Sequence, residues 1–80
     1  MRFNEFLKAY KDDGGSQKAL GIDIGVSEAV MSRIIHRKQK VGLKMLNRML
    51  AACKGMVSMG ELTKDFRPDI YKAVMGGNHA

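Results

Sequence analysis

The side chains of this chain whose types and spacing could do chemistry lie between Gln17 and His36, in QKALGIDIGVSEAVMSRIIH. On a helix that starts after Ser27, helical geometry turns Ser27, Glu28, Ser32, Arg33, His36 and Arg37 outward, on or near one surface. The set is rich in donors and acceptors, so recognition by hydrogen bonding is its natural chemistry. The major groove of DNA offers a distinct pattern of such groups at each base pair. Arg33 suits it best, because a guanidinium can bond both O6 and N7 of guanine. Glu28 could accept from a cytosine amino group, or equally serve as a first-turn carboxylate that favours the helix dipole. Ser32 could bond a base or a phosphate, and Ala29 could touch a thymine methyl. His36 reads as a helix-end or phosphate-facing residue, with no metal partner near it in sequence.

Such a surface needs two short helices that cross steeply, with a small residue in the first and a glycine at the bend. Gly21 and Gly25 fill those places, and Leu20, Ile24, Val26, Met31 and Ile34 supply the inward faces. The expected unit is a helix-turn-helix made by the second and third helices of the chain. Ser16 caps the second helix, which runs to about Ile24. Ser27 caps the third, expected over about Glu28 to Arg37. Arg37, Lys38, Gln39 and Lys40 then form a basic connection. Cations at a helix C-terminus are favourable whatever the function, and here they could also meet a DNA backbone, or form a plainly solvated loop.

The remaining elements are set by periodicity and capping signals. Phe3, Phe6, Leu7 and Tyr10 fall at i, i+3, i+4 and i+7, one stripe of a first helix that Asp12 to Gly15 stop; this spacing favours packing over base stacking. After Gly42 comes a fourth helix, Leu43 to Cys53, with Leu43, Leu46, Met49, Leu50 and Cys53 on its apolar side. Cys53 there is expected to be buried and inert. The box S-x-x-E at Ser58 to Glu61 opens a fifth helix that stops before Pro68. Ile70, Tyr71, Val74 and Met75 form a last apolar patch, either one helical turn or an extended arm. The seven methionines exceed what one small core needs. Met45, Met56, Met59 and Met75 could build a self-association or partner surface, or could reflect a loosely specified core.

Length and charge bound the possibilities. Eighty residues make one small domain, taken as 1–75 with a loose tail over 76–80. A single cysteine leaves no internal disulfide and suits a reducing cytoplasm. An amphipathic start and the lack of a long apolar run argue against a signal peptide or a membrane span. The net charge is +6, but from Ala29 to Gly60 there are seven Lys or Arg and no Asp or Glu, while the rest of the chain balances at −1. The positive excess is confined to the second half of the expected motif and the residues after it up to Gly60, as an interface to phosphates would require. A phosphate-cradling glycine loop, paired Cys and His at metal spacing, and a nucleophile beside a base are all missing, and His36, Cys53 and His79 stand alone. No enzyme activity, cofactor or metal is expected.

At these residues the chain resembles a known family. Gln17 to His36 looks like the helix-turn-helix of phage Cro and repressor proteins, and GVSEAVMSRI is close to the G-[VI]-S-x-A-[AV]-[VM]-S-x-[WI] pattern of small Cro-like regulators. Phe66 to Tyr71, FRPDIY, resembles the LRPDIY-type ending of the YdaS-like prophage regulators, an antitoxin-type group. The matches cover about residues 15–36 and 66–71. Gly21 stands where the family usually has alanine, at a cost of roughly 1 kcal/mol in local helix stability, and the spacer before Phe66 is longer than usual. The resemblance implies an all-α, λ-repressor-like domain of about five short helices. It puts Ser27, Glu28, Ala29, Ser32 and Arg33 at base-contacting positions and makes Gln17 and Lys18 candidates for phosphate contacts beside His36, Arg37, Lys38 and Lys40, although Gln17 and Lys18 could equally be ordinary solvated residues. It implies a transcriptional repressor of a phage or prophage that acts on double-stranded operator DNA in the cytoplasm of a bacterial host, on the nucleoid when bound. Two copies would occupy half-sites about one turn, ~34 Å, apart. The rival it also implies is an antitoxin, a module that holds a partner toxin through residues 70–75 and regulates its own operon.

Overall fold

Serine hydroxyls open three of the helices. Ser16 Oγ accepts from the Ala19 N–H at 3.0 Å, Ser27 Oγ from Val30 at 3.2 Å and Ser58 Oγ from Glu61 at 3.1 Å, each satisfying a donor that the first turn leaves free. The computed structural model describes residues 1–76. Its helices are α1 (Phe3–Asp12), α2 (Gln17–Ile24), α3 (Glu28–Ile35), α4 (Leu43–Ala52), α5 (Met59–Phe66) and α6 (Pro68–Tyr71), followed by a π-helical turn, Lys72–Gly76. The class is all-α, with no strand among the described residues. The sixth helix is four residues long, which is the helical turn and not the extended arm of the two forms anticipated after α5; Pro68 at its first position and Asp69 in its first turn start it. The tail expected over 76–80 falls, from residue 77 on, outside the described residues. No described helix is long and apolar enough to cross a membrane.

One cluster forms the core: Phe3, Phe6 and Leu7 from α1, Leu20 and Ile24 from α2, Met31 and Ile34 from α3, Leu46 and Met49 from α4, Leu62 from α5, and Val41, Cys53 and Val57 beside them. No polar side chain among the described residues is buried with them. Phe66 meets Phe3 edge to face, with ring centroids 5.2 Å apart, which joins the end of α5 to the start of α1. Met45 and Met59 pack against this core and Met56 is exposed, so most of the described methionine excess is interior packing. Leu43, expected on the apolar side of α4, is 59% exposed. It is the first residue of α4, and Val41 in the preceding connector is buried instead.

Gly21 and Gly25 hold the places that their spacing suggested. Gly25 has φ +93°, its N–H donates to the Ile22 carbonyl and that of Val26 to the Gly21 carbonyl. This is the left-handed closing turn that glycine favours. A Cβ on Gly21 would lie 3.2 Å from the Val26 carbonyl and 3.3 Å from Met31 Cβ. The backbones of α2 and α3 therefore approach more closely here than alanine would allow without a shift of a few tenths of an ångström, which offsets the helix propensity that glycine forfeits.

The end of α3 departs from expectation. The helix stops at Ile35 and not near Arg37. His36 caps it, and Arg37 takes φ +58°, with its N–H on the Ile34 carbonyl at 3.0 Å and that of Lys38 on the Arg33 carbonyl at 2.8 Å. This is the turn made at Gly25, with arginine at the left-handed position, where a Cβ costs about 1–2 kcal/mol. The side chain holds it there. Its Nε and Nη2 donate to the Asp65 carboxylate at 3.1 and 2.7 Å, Nη2 also to Asn4 Oδ1 at 3.3 Å, and Nη1 to the Ile35 carbonyl. The guanidinium lies over the Phe66 ring, 4.3 Å from its centroid. At the far end of the connector, Arg67 forks onto Asp69 at 3.0 and 2.9 Å and donates from Nη1 to the Val41 carbonyl at 3.1 Å. The segment between α3 and α4 is thus fastened twice to the α5–α6 corner.

Both fastenings can be tested by substitution. A half-exposed ion pair contributes ~0.2–1 kcal/mol and an exposed cation–π contact ~0.5–1 kcal/mol, about what the strained backbone costs. Arg37→Ala, which loses the contacts and keeps the strain, should lower stability by about 1–2 kcal/mol in urea unfolding. Arg37→Gly, which loses both, should be milder by about 1 kcal/mol; equal losses would show that the backbone there is unstrained. The hydrogen bonds from Arg67 hold the Asp69 carboxyl down at about 2, against an ordinary 3.8. A depressed carboxylate stabilises the fold fully above its unfolded value and loses that contribution as pH falls through the folded one. The thermal-midpoint gap between the parent and Asp69→Asn should therefore close as pH drops from about 4 toward 2, and a gap constant across that range would contradict it.

Candidate nucleic-acid interface

The outward face of α3 begins at its cap. Ser27 spends an acceptor lone pair on the Val30 N–H, and its hydroxyl hydrogen remains available to donate. Glu28 and Ala29 occupy the first turn and Arg33 the next, all exposed, while Ser32 is half-buried. Behind them Met31 and Ile34 are fully buried. The alternation comes from helical period alone: positions 31 and 34 point to the core, and 28, 29, 32 and 33 lie away from it or at its margin. Helix α3 packs chiefly on α2, while α6 lies on α5.

His36 closes the helix. Its Nδ1 is 2.8 Å from the Ser32 carbonyl, and because a carbonyl can only accept, Nδ1 carries the hydrogen and Nε2 is the ring's other polar atom. Lys38 and Lys40 project from the connector, both exposed, and Lys18 is exposed near the start of α2 while Gln17 is half-buried there. Arg37, grouped with these residues on the sequence, is separated from them by its left-handed backbone. Its guanidinium is committed to Asp65, Asn4 and Phe66 and serves the packing of α1 and α5. The physical reason is the early end of α3: a helix continued through His36 and Arg37 would have turned this side chain to the same side as Arg33, four residues before it.

Of the seven cations between Ala29 and Gly60, Arg37 alone makes an ion pair among the described residues. Arg33, Lys38, Lys40, Lys44, Arg48 and Lys54 keep their charge facing solvent. Arg48 on α4 reaches the bend between α2 and α3, its Nη1 3.9 Å from where a Gly25 Cβ would be. Helix α4 itself starts from Gly42, which has no side chain to cap it, and no acid occupies its first turn. The free N–H groups there add positive potential beside Lys40 and Lys44.

Two features of this surface escaped the sequence reading. Gln39, passed over as part of a basic run, is half-buried and accepts from Arg33 Nε at 2.9 Å. The apolar patch expected at residues 70–75 is smaller than it looked: Ile70 and Tyr71 are half-buried and Val74 is exposed, while the side chain of Met75 lies outside the described part. Cys53 is fully buried, and burial pushes its thiol up to about 11, far from a reactive thiolate. No protein-family model, curated protein or solved structure matches this chain.

Proposed function

We propose that α2 and α3 form a helix-turn-helix and that the chain is a sequence-specific DNA-binding regulator, of the kind its likeness to Cro-type repressors suggests. One observation carries the reading. An α3 face of exposed and half-exposed hydrogen-bonding side chains sits on an apolar back, and from Ala29 to Gly60 the chain holds cations and no acid. Arg33 and Glu28 read base edges in the major groove, with Ser27, Ala29 and Ser32 beside them. Gln17, Lys18, His36, Lys38 and Lys40 set the register by holding phosphates. Arg37 drops out of that second group and holds the connector instead.

Two copies on a near-palindromic operator would place two α3 helices about one turn, ~34 Å, apart along the groove. The rival, a toxin-holding module built on residues 70–75, has less support, because Ile70 and Tyr71 are drawn toward the domain and leave Val74 as its exposed apolar side chain among the described residues.

Arg33→Ala should cost about 1–3 kcal/mol on the preferred duplex and relax selection at one base pair. Lys38→Ala should weaken all duplexes alike and flatten the dependence of log affinity on log salt by about one unit. Binding measured on specific and random duplexes over several salt concentrations checks both. An Arg33→Ala protein that keeps the parent's preference would remove Arg33 from the reading set, and salt-independent binding would remove the phosphate contacts.

A further inference from the structure

We infer that Gln39 is the positioning residue for Arg33, and that the pair reads a guanine through the terminal edge of the guanidinium. The inference rests on the DNA-binding reading and deepens it. A guanidinium can present two donor pairs: Nε with one Nη, or the two Nη groups together. Here the first pair is already occupied, because Arg33 Nε donates to Gln39 Oε1 at 2.9 Å. The Nη pair remains, without a hydrogen-bond partner among the described residues, on an exposed side chain, and can match the two acceptors O6 and N7 that guanine places in the major groove.

The fold explains why an exposed arginine is restrained at all. Gln39 stands six residues after Arg33, a separation that a continuing helix would not bring together. The chain reverses at Arg37, where φ is +58° and the Lys38 N–H returns to the carbonyl of Arg33 itself, and this fold-back sets Gln39 beside the last turn of α3. Arg37 is drawn the other way, because Asp65, Asn4 and Phe66 engage its side chain. Val41, two residues past Gln39, is buried and its carbonyl is tied to Arg67. Gln39, a half-buried residue, is thus suspended between two tethered points, and its amide oxygen is held within reach of Arg33. A long side chain whose rotamers are already restricted loses less entropy on meeting a base than a free one.

Gln39→Leu keeps the size of the side chain and removes the acceptor, so it separates the positioning role from simple packing. In the free protein, the Arg33 Hε resonance should be resolved and slow to exchange in the parent, and should merge with the free arginine envelope in Gln39→Leu at an unchanged unfolding midpoint. On duplexes selected by the parent, Gln39→Leu should reduce discrimination by about tenfold at the same base pair that Arg33→Ala relaxes, that pair being G·C. In an Arg33→Ala background it should have no further effect there. Discrimination that survives Gln39→Leu but falls in Arg33→Ala overturns the positioning role and leaves the DNA reading standing. An equal loss from Gln39→Leu with and without Arg33 also overturns it, by making the amide an independent contact. A parent that selects no sequence overturns both this inference and the reading on which it rests.

Discussion

The connector between α3 and α4 is the constraint on which the rest depends, because seven residues without regular structure must carry the chain from the end of one helix to the start of another in a single geometry. Arginine pins it at each end. Arg37 reaches Asp65 and Phe66 from the α3 side, and Arg67 reaches the Val41 carbonyl from the α6 side. Neither fastening is strong in isolation, since both ion pairs face water on at least one partner. Their effect is on position more than on total stability. They fix where the chain leaves α3, and therefore which side chains can gather around its exposed face.

This arrangement divides the cations of the chain into two classes by what they touch. Arg37 and Arg67 meet carboxylates, carbonyls or an aromatic face and hold the domain together. Arg33, Lys38, Lys40, Lys44, Arg48 and Lys54 make no ion pair among the described residues, so their charge is left to solvent. The second class suits a polyanion with regularly spaced charge. On the proposed DNA reading, the first would help to position the exposed face of α3, because hydrogen bonds to base edges discriminate only when the donors are held in place.

Much of this was legible from local rules. The three serine caps, the glycine at the α2–α3 bend and the buried stripe of α1 each depend on residues within one or two turns, and each stands where spacing placed it. What spacing could not reveal depends on distant partners. Arg37 looked like one more cation in a basic run, because the groups that capture it lie 28 and 33 residues away. The early end of α3 was hidden for the same reason: the left-handed position carries arginine, where glycine would have announced the turn. Gln39 became significant only through that turn. Val41 and Val57 are core residues outside the helices, where periodicity has nothing to say, and Leu43, which the α4 pattern turned inward, is exposed.

On the proposed function, the exposed face of α3 meets DNA. Backbone-amide NMR during titration with a duplex enriched from a random pool tests it most directly, since it reports each residue separately. The account predicts the largest shifts from Ser27 to Arg33 and from Lys38 to Lys40, with smaller ones at Gln17 and Lys18 and little change from Leu62 to Tyr71. Shifts centred on the α5–α6 corner with α3 unmoved would contradict it, as would a random pool from which no duplex is enriched.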